Sequence, residues 1–300
     1  MRPGQMTPPS RRGTKKPRRQ NGRRLWVTVH RWLGLCLAIL LVPIALTGAV
    51  LALKSPLLRW EMGPEPFRIP AVQSAPLSSD QLQLAAQQSF PQISHIMGMA
   101  EPHEGFFDSP NITAFGMIAG RQRAMGVGFL DPATGEARGF YIYDDLWIAK
   151  AVNLHRSLFL PSFIGGPLLA LIGLGLTVST VTGLWLWWPR RGRWKAQLFP
   201  ASLRKGKMRL LEWHRWAGAW LSVPILCLAL SGIWLSIPRL WAILPGLDRA
   251  SGQRVRSVIA DLHDNLLLGE LGSALTALSG IVLAILVVTG VWAWWRRTRR

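Results

Sequence analysis

The sequence predicts an all-α membrane protein, a four-helix transmembrane bundle built from a duplicated two-helix unit, with a small α+β domain outside the membrane. Three observations predict it. Four apolar stretches are each long enough to cross a hydrocarbon core, which takes about 20 helical residues. The net charge of +20 is concentrated in three segments without a single acidic residue. The chain also resembles itself, segment by segment.

The elements follow in order. Residues 1–24 form a tail with nine Lys or Arg and no acid. The apolar run 25–53 is too long for a signal peptide, whose core is roughly 7–15 residues, and reads as a first span. Residues 54–150 carry seven basic and ten acidic side chains and form the external domain. Within it, residues 79–90 begin with cap residues, have the spacing of an amphipathic helix and stop at Pro91. The run from Gly126 to Tyr143 reads as two strands joined by a turn at Asp131 to Gly135. Residues 151–166 predict an interfacial helix leading into a second span at 167–188. The loop 189–211 holds eight basic residues and no acid. A third span covers 212–237, an external loop and second interfacial helix 238–273, and a fourth span 274–295. The last five residues, 296–300, include four Arg. The positive-inside rule places the three basic segments, and both termini, in the cytoplasm. Pro43 and Pro224 predict kinks within their spans.

Charge of this size also suits nucleic acid, but the distribution makes it an orientation signal, and no nucleic-acid partner is expected. Cys36 and Cys227 lie in apolar runs without CxxC or metal-ligand spacing and read as packed thiols. There is no GxGxxG with an acidic ribose partner, so an electron donor, if one is needed, is a separate molecule.

The self-similarity points to chemistry. His30-Arg31-Trp32-Leu33-Gly34-Leu35 recurs as His214-Arg215-Trp216-Ala217-Gly218-Ala219. Each His precedes a small-residue pair, Thr47-Gly48 or Ser231-Gly232, by seventeen residues. Asn153-Leu154-His155-Arg156 matches Asp261-Leu262-His263-Asp264, and each is followed by an apolar span ending in Thr-Gly and a Trp cluster. By topology His30 and His214 share one depth, and His155 and His263 the other. Ionisable residues at membrane depth are costly and usually functional. A lone boundary His is more often a hydrogen-bonding or interfacial residue than a ligand. Four repeated at two matched depths form two pairs, each suited to hold a b-type heme through two axial imidazoles. Gly34, Gly48, Gly218 and Gly232 would leave room for a flat macrocycle. Zinc or copper fits less well, because such sites usually gather three or more close ligands. Arg31, Arg156 and Arg215 follow three of the His and suit either heme propionates or lipid headgroups. His95, Met97, Met99 and His103 form a loose cluster in the external domain that suits a metal or substrate contact, or mere loop polarity.

The motifs HRWLGL, NLHRSLFL, WHRWAGAW, DLHDNLLLG, TGLWLWWPRR and DPATGEARG together resemble the PepSY-associated transmembrane family. The resemblance runs over about residues 25–297. It implies a bacterial inner-membrane protein with a periplasmic PepSY-like domain, similar to heme-containing ferric siderophore reductases of the FoxB type. It further implies two heme b cofactors with His30, His155, His214 and His263 as axial ligands. The implied partners are the lipid bilayer, a separate cytoplasmic or quinol donor, and a periplasmic ferric siderophore. Two other classes stay open: a regulatory module that binds a partner through its external domain, and a component of a siderophore transporter. The chain lacks the many spans and broken-helix pairs of transporters.

Overall fold

The computed structural model describes residues 20–70, 75–121, 124–189, 194, 198, 208–237 and 249–299. Most of the basic tail 1–24, most of the basic loop 189–211 and the start of the external segment 238–273 therefore lie outside the described residues.

The described residues are mostly helical, with one small antiparallel sheet. Among the described residues, three helices are long and apolar enough to cross a membrane: α1 (Gln20–Ala52), α5 (Ser162–Trp187) and α9 (Gly269–Thr298). A fourth crossing is made if α6 (Met208–Trp220) and α7 (Ser222–Ser236), bent by 63° at Leu221, act as one span. The expected continuous helix over 212–237 is thus broken. Pro224, near the start of α7, lacks the N–H that would bond back to Trp220, which removes a rung at the joint. Pro43, by contrast, sits inside an unbroken α1, where the Thr47 hydroxyl donates to its carbonyl at 2.7 Å. Apolar side chains such as Ile39, Leu171, Leu230 and Ile285 point outward and stay exposed. That pattern is right for lipid, where the exterior need not be polar. Cys36 is exposed on the same kind of surface instead of packed.

α1 packs against α5 and α9, and α6–α7 pack against the same two helices. α1 and α6–α7 therefore face each other across a diagonal.

Between α1 and α5 lies the small domain. α2 (Lys54–Met62) follows α1 after a one-residue break, and α3 (Ser79–Ser89) opens with a capping box in which Ser78 and Gln81 satisfy each other's backbone amides. The sheet is larger than the sequence reading allowed. Besides the hairpin of β3 (Met125–Leu130) and β4 (Ala137–Ile142), it contains β1 (Ile93–Ala100) and β2 (Ile112–Ile118), in the order β1-β2-β3-β4. Asp131 closes the hairpin, its carboxylate accepting from the amides of Ala133 and Thr134 and from Arg138. Both faces of the sheet are covered. Leu82, Ala86 and Phe90 pack on Ile112, Ala114 and Leu130, while Leu58, Met62, Phe67 and Ile148 close over Val127 and Phe129.

α4 (Trp147–Ser157) carries the chain from the domain to α5, and α8 (Arg249–Asn265) leads likewise into α9. The expected interfacial segment 151–166 is therefore a helix that begins earlier, a short break, and the start of α5 five residues ahead of Pro167. Pro167 lies in the second turn of α5, where its missing N–H removes the bond to the Phe163 carbonyl, a loss that a membrane-spanning helix packed among neighbours tolerates. The two breaks are alike. Leu158 and Phe159 have φ of 55° and 58°, and Leu266 and Leu267 have 52° and 60°. In each, the two amides turn back to carbonyls near the end of the preceding helix: Leu154 and Asn153 in one, Leu262 and Asp261 in the other. Left-handed backbone is uncommon for a branched side chain, and two such residues in succession swing each span sharply away from its short helix.

Candidate functional site: two histidine pairs

The four repeated His come together in two pairs. His30 on α1 and His214 on α6 meet across the diagonal with ring centres 6.4 Å apart and planes at 84°. His155 on α4 and His263 on α8 meet with ring centres 6.1 Å apart and planes at 49°. His30 and Thr47, whose hydroxyl faces His155, are seventeen residues apart, so the two layers stand about 26 Å apart along the helix.

Each imidazole rests in the same kind of socket on a neighbouring helix. His30 Nδ1 lies 3.2 Å from the Thr182 hydroxyl and 3.0 Å from the Ser179 carbonyl on α5. His155 Nδ1 lies 3.3 Å from the Thr47 hydroxyl and 2.9 Å from the Ile44 carbonyl on α1. His214 Nδ1 approaches the Thr289 hydroxyl of α9 at 3.1 Å, and His263 Nδ1 the Ser231 hydroxyl of α7 at 3.0 Å. The glycine that follows each hydroxyl residue lies against the ring. A Cβ on Gly48, Gly183, Gly232 or Gly290 would stand 2.9, 3.0, 3.1 or 3.4 Å from Cε1 of His155, His30, His263 or His214. Of the glycines expected to make room for a macrocycle, Gly48 and Gly232 therefore make room for imidazoles. Gly34 has open space around it, and Gly218 faces only Leu286. The small-residue pairs are visible in the sequence, but the histidine of another helix to which each belongs is not.

At the layer next to the small domain, burial and then the neighbouring His263 push the His155 imidazole down to about 4, and burial pushes His263 down as well. Burial thus favours the neutral form of both rings, the form that binds metals. As whole residues all four histidines are half-buried.

The other expected site residues lie outside these pairs. Arg31, Arg156 and Arg215 are exposed, and the Arg31 guanidinium lies over the Trp32 ring at 5.6 Å. The external cluster is split: Met99 packs against the core under α3, Met97 faces out, and His103 pairs with Asp108 at 3.5 Å.

Two imidazoles that bind one metal ion end-on from opposite sides, each at about 2.0 Å, have ring centres roughly 6.3 Å apart. Both pairs match that spacing. Among the described residues no group of three or more His, Cys, Asp or Glu side chains comes together. The donors therefore fit a metal that brings its own equatorial ligands, as a heme does, better than an ion caged by protein alone.

The sequence matches the family described as PepSY-associated TM region over residues 27–251 and again over 245–300. No curated protein matches it.

Proposed function

The chain belongs to the PepSY-associated TM region family, and from that premise we propose that it is a di-heme electron-transfer protein of the bacterial inner membrane. It carries electrons to a periplasmic ferric siderophore. The observation that carries this reading is the spacing of the two pairs, 6.4 Å for His30 and His214 and 6.1 Å for His155 and His263. These four side chains would hold two b-type hemes, one between the members of each pair, in a duplicated four-helix bundle. When bound, the hemes supply reversible one-electron chemistry at iron.

The chain's own part is position and insulation. α1 and α6 hold His30 opposite His214, α4 and α8 hold His155 opposite His263, and the left-handed breaks after α4 and α8 lead from the second layer into the spans. The positive-inside rule puts residues 1–24, 189–211 and 296–300 in the cytoplasm. His30 and His214 then lie near the cytoplasmic face, and His155 and His263 near the periplasm under the PepSY-like domain. Arg31, Arg156 and Arg215 are placed beside three ligands, where guanidinium groups suit heme propionates. The donor is a separate cytoplasmic protein or a quinol. One electron per Fe(III) yields Fe(II), which oxygen chelators hold far more weakly, and iron is released.

Purified protein from heme-replete cells should be red, with a Soret band, a sharp α-band on reduction and two hemes per chain. A folded, colourless preparation would end the reading. For the acceptor, reconstituted vesicles reduced from the cytoplasmic side should release Fe(II) from an external ferric chelate to a ferrous-specific dye. Reducible hemes without dye formation would leave the conduit standing and remove the siderophore.

A further inference from the structure

The four hydroxyls at the histidine sockets do more than fill space. Each spends its single proton on its own helix. Thr182 donates to the Ser179 carbonyl at 2.9 Å and Thr289 to Leu286 at 3.0 Å. Thr47 donates to Pro43 at 2.7 Å and Ile44 at 3.1 Å, and Ser231 to Cys227 at 2.6 Å and Leu228 at 3.2 Å. A hydroxyl has one hydrogen to give and two lone pairs. Having given it to a carbonyl, it can only accept from the imidazole. The Ser179 and Ile44 carbonyls beside His30 and His155 can only accept as well. The carbonyls require the proton on Nδ1 of His30 and His155, and hydroxyls whose own protons go to carbonyls favour the same form of His214 and His263, which leaves the Nε2 lone pair free.

We propose that Thr47, Thr182, Ser231 and Thr289 are positioning residues that fix each histidine as the Nδ1–H tautomer and thereby set the affinity and potential of the metal on Nε2. The inference rests on the heme reading above and goes past it by assigning the control to four residues on other helices. A ligating imidazole that donates its second N–H to an acceptor is a more basic ligand. A more basic imidazole favours the oxidised metal, so loss of the acceptor raises the potential. The same hydroxyl-glycine socket recurs at all four rings although the helices that supply it differ, which a packing accident would not produce.

The test uses Thr289→Val and Ser231→Ala, one at each layer, with Thr289→Ser and Ser231→Thr as conservative partners. Each is purified as the full chain and titrated potentiometrically, with heme counted and the low-spin electron paramagnetic resonance signal recorded. Thr289→Val should raise the potential of one heme and lower its affinity roughly tenfold or more. The other heme should stay unchanged, and Thr289→Ser should restore the first. Ser231→Ala should do the same to the other heme. A colourless wild type would overturn the heme reading itself. A heme-loaded wild type whose two variants keep both potentials and both signals would overturn only the assignment made here. So would loss of both hemes from either variant, because the hydroxyl would then be holding the helices and not one imidazole.

Discussion

A Cβ added to Gly48 would stand 2.9 Å from Cε1 of His155, so α1 accepts that imidazole only because residue 48 has no side chain. Ala in place of a helical Gly ordinarily stabilises a helix by about 1 kcal/mol, so any loss in Gly48→Ala comes from the ring it displaces. The contact loosens from Gly48 through Gly183 and Gly232 to Gly290, where 3.4 Å is ordinary contact. The four Gly→Ala variants should therefore lose heme in that order, with Gly290→Ala near wild type. Heme counted per chain in the four proteins is the measurement. Equal loss in all four, or none, would show that the rings are not held by these glycines.

The pairing itself gives a second prediction. Since His30 faces His214 and His155 faces His263, replacing either member of one pair with Ala should remove the same single heme. The variants should therefore fall into two spectral classes: His30→Ala with His214→Ala, and His155→Ala with His263→Ala. A difference spectrum of each variant decides it. A class that mixed His30 with His263 would break the layer assignment.

Much of this site could be read in the sequence, because the internal repeat put His30 and His214 in equivalent frames and the charge pattern sorted the four His by depth. What the repeat could not give is which helix neighbours which. The hydroxyl that receives Nδ1 lies on another helix, 152 residues away for His30 and 108 for His155. Two strands were also missed, for opposite reasons. β1 is interrupted by register shifts around His95 and Gly98, which spoil its alternation. Four of the first five residues of β2 are buried because helices cover both sheet faces, so that stretch has no polar face to alternate with.

Glu61 links the small domain to the nearer histidine layer. Its carboxylate accepts from the amides of Trp147 and Ile148, the first two residues of α4, which carries His155. Such a carboxylate satisfies otherwise unpaired amides and complements the helix dipole, worth about 0.5–2 kcal/mol. Glu61→Ala should loosen α4 and lower heme content at the His155–His263 layer alone, while Glu61→Gln, still an acceptor, should keep most of it. A parallel fall at both layers would mean that Glu61 serves the fold in general and not the seating of α4.

Asp131 supplies the pH dependence of the domain. Its side chain is 3% exposed. Burial alone would raise its pKa, but the Ala133 amide, the Arg138 guanidinium and the Thr134 amide together hold the carboxyl below its ordinary 3.8. Because the folded state binds this proton less readily than the unfolded one, the stabilisation is complete above the unfolded value and is lost as pH falls through the folded one. Hydrogen exchange over residues 125–142, corrected for intrinsic rates, should show constant protection from pH 7 to about 5 and a decline beginning near 4. Asp131→Asn keeps an acceptor for the turn but removes the charge facing Arg138, at a cost of about 1–3 kcal/mol. It should start less protected at pH 7 and lose the acid-dependent decline. An equally steep decline in the variant would assign the acid sensitivity to another carboxylate.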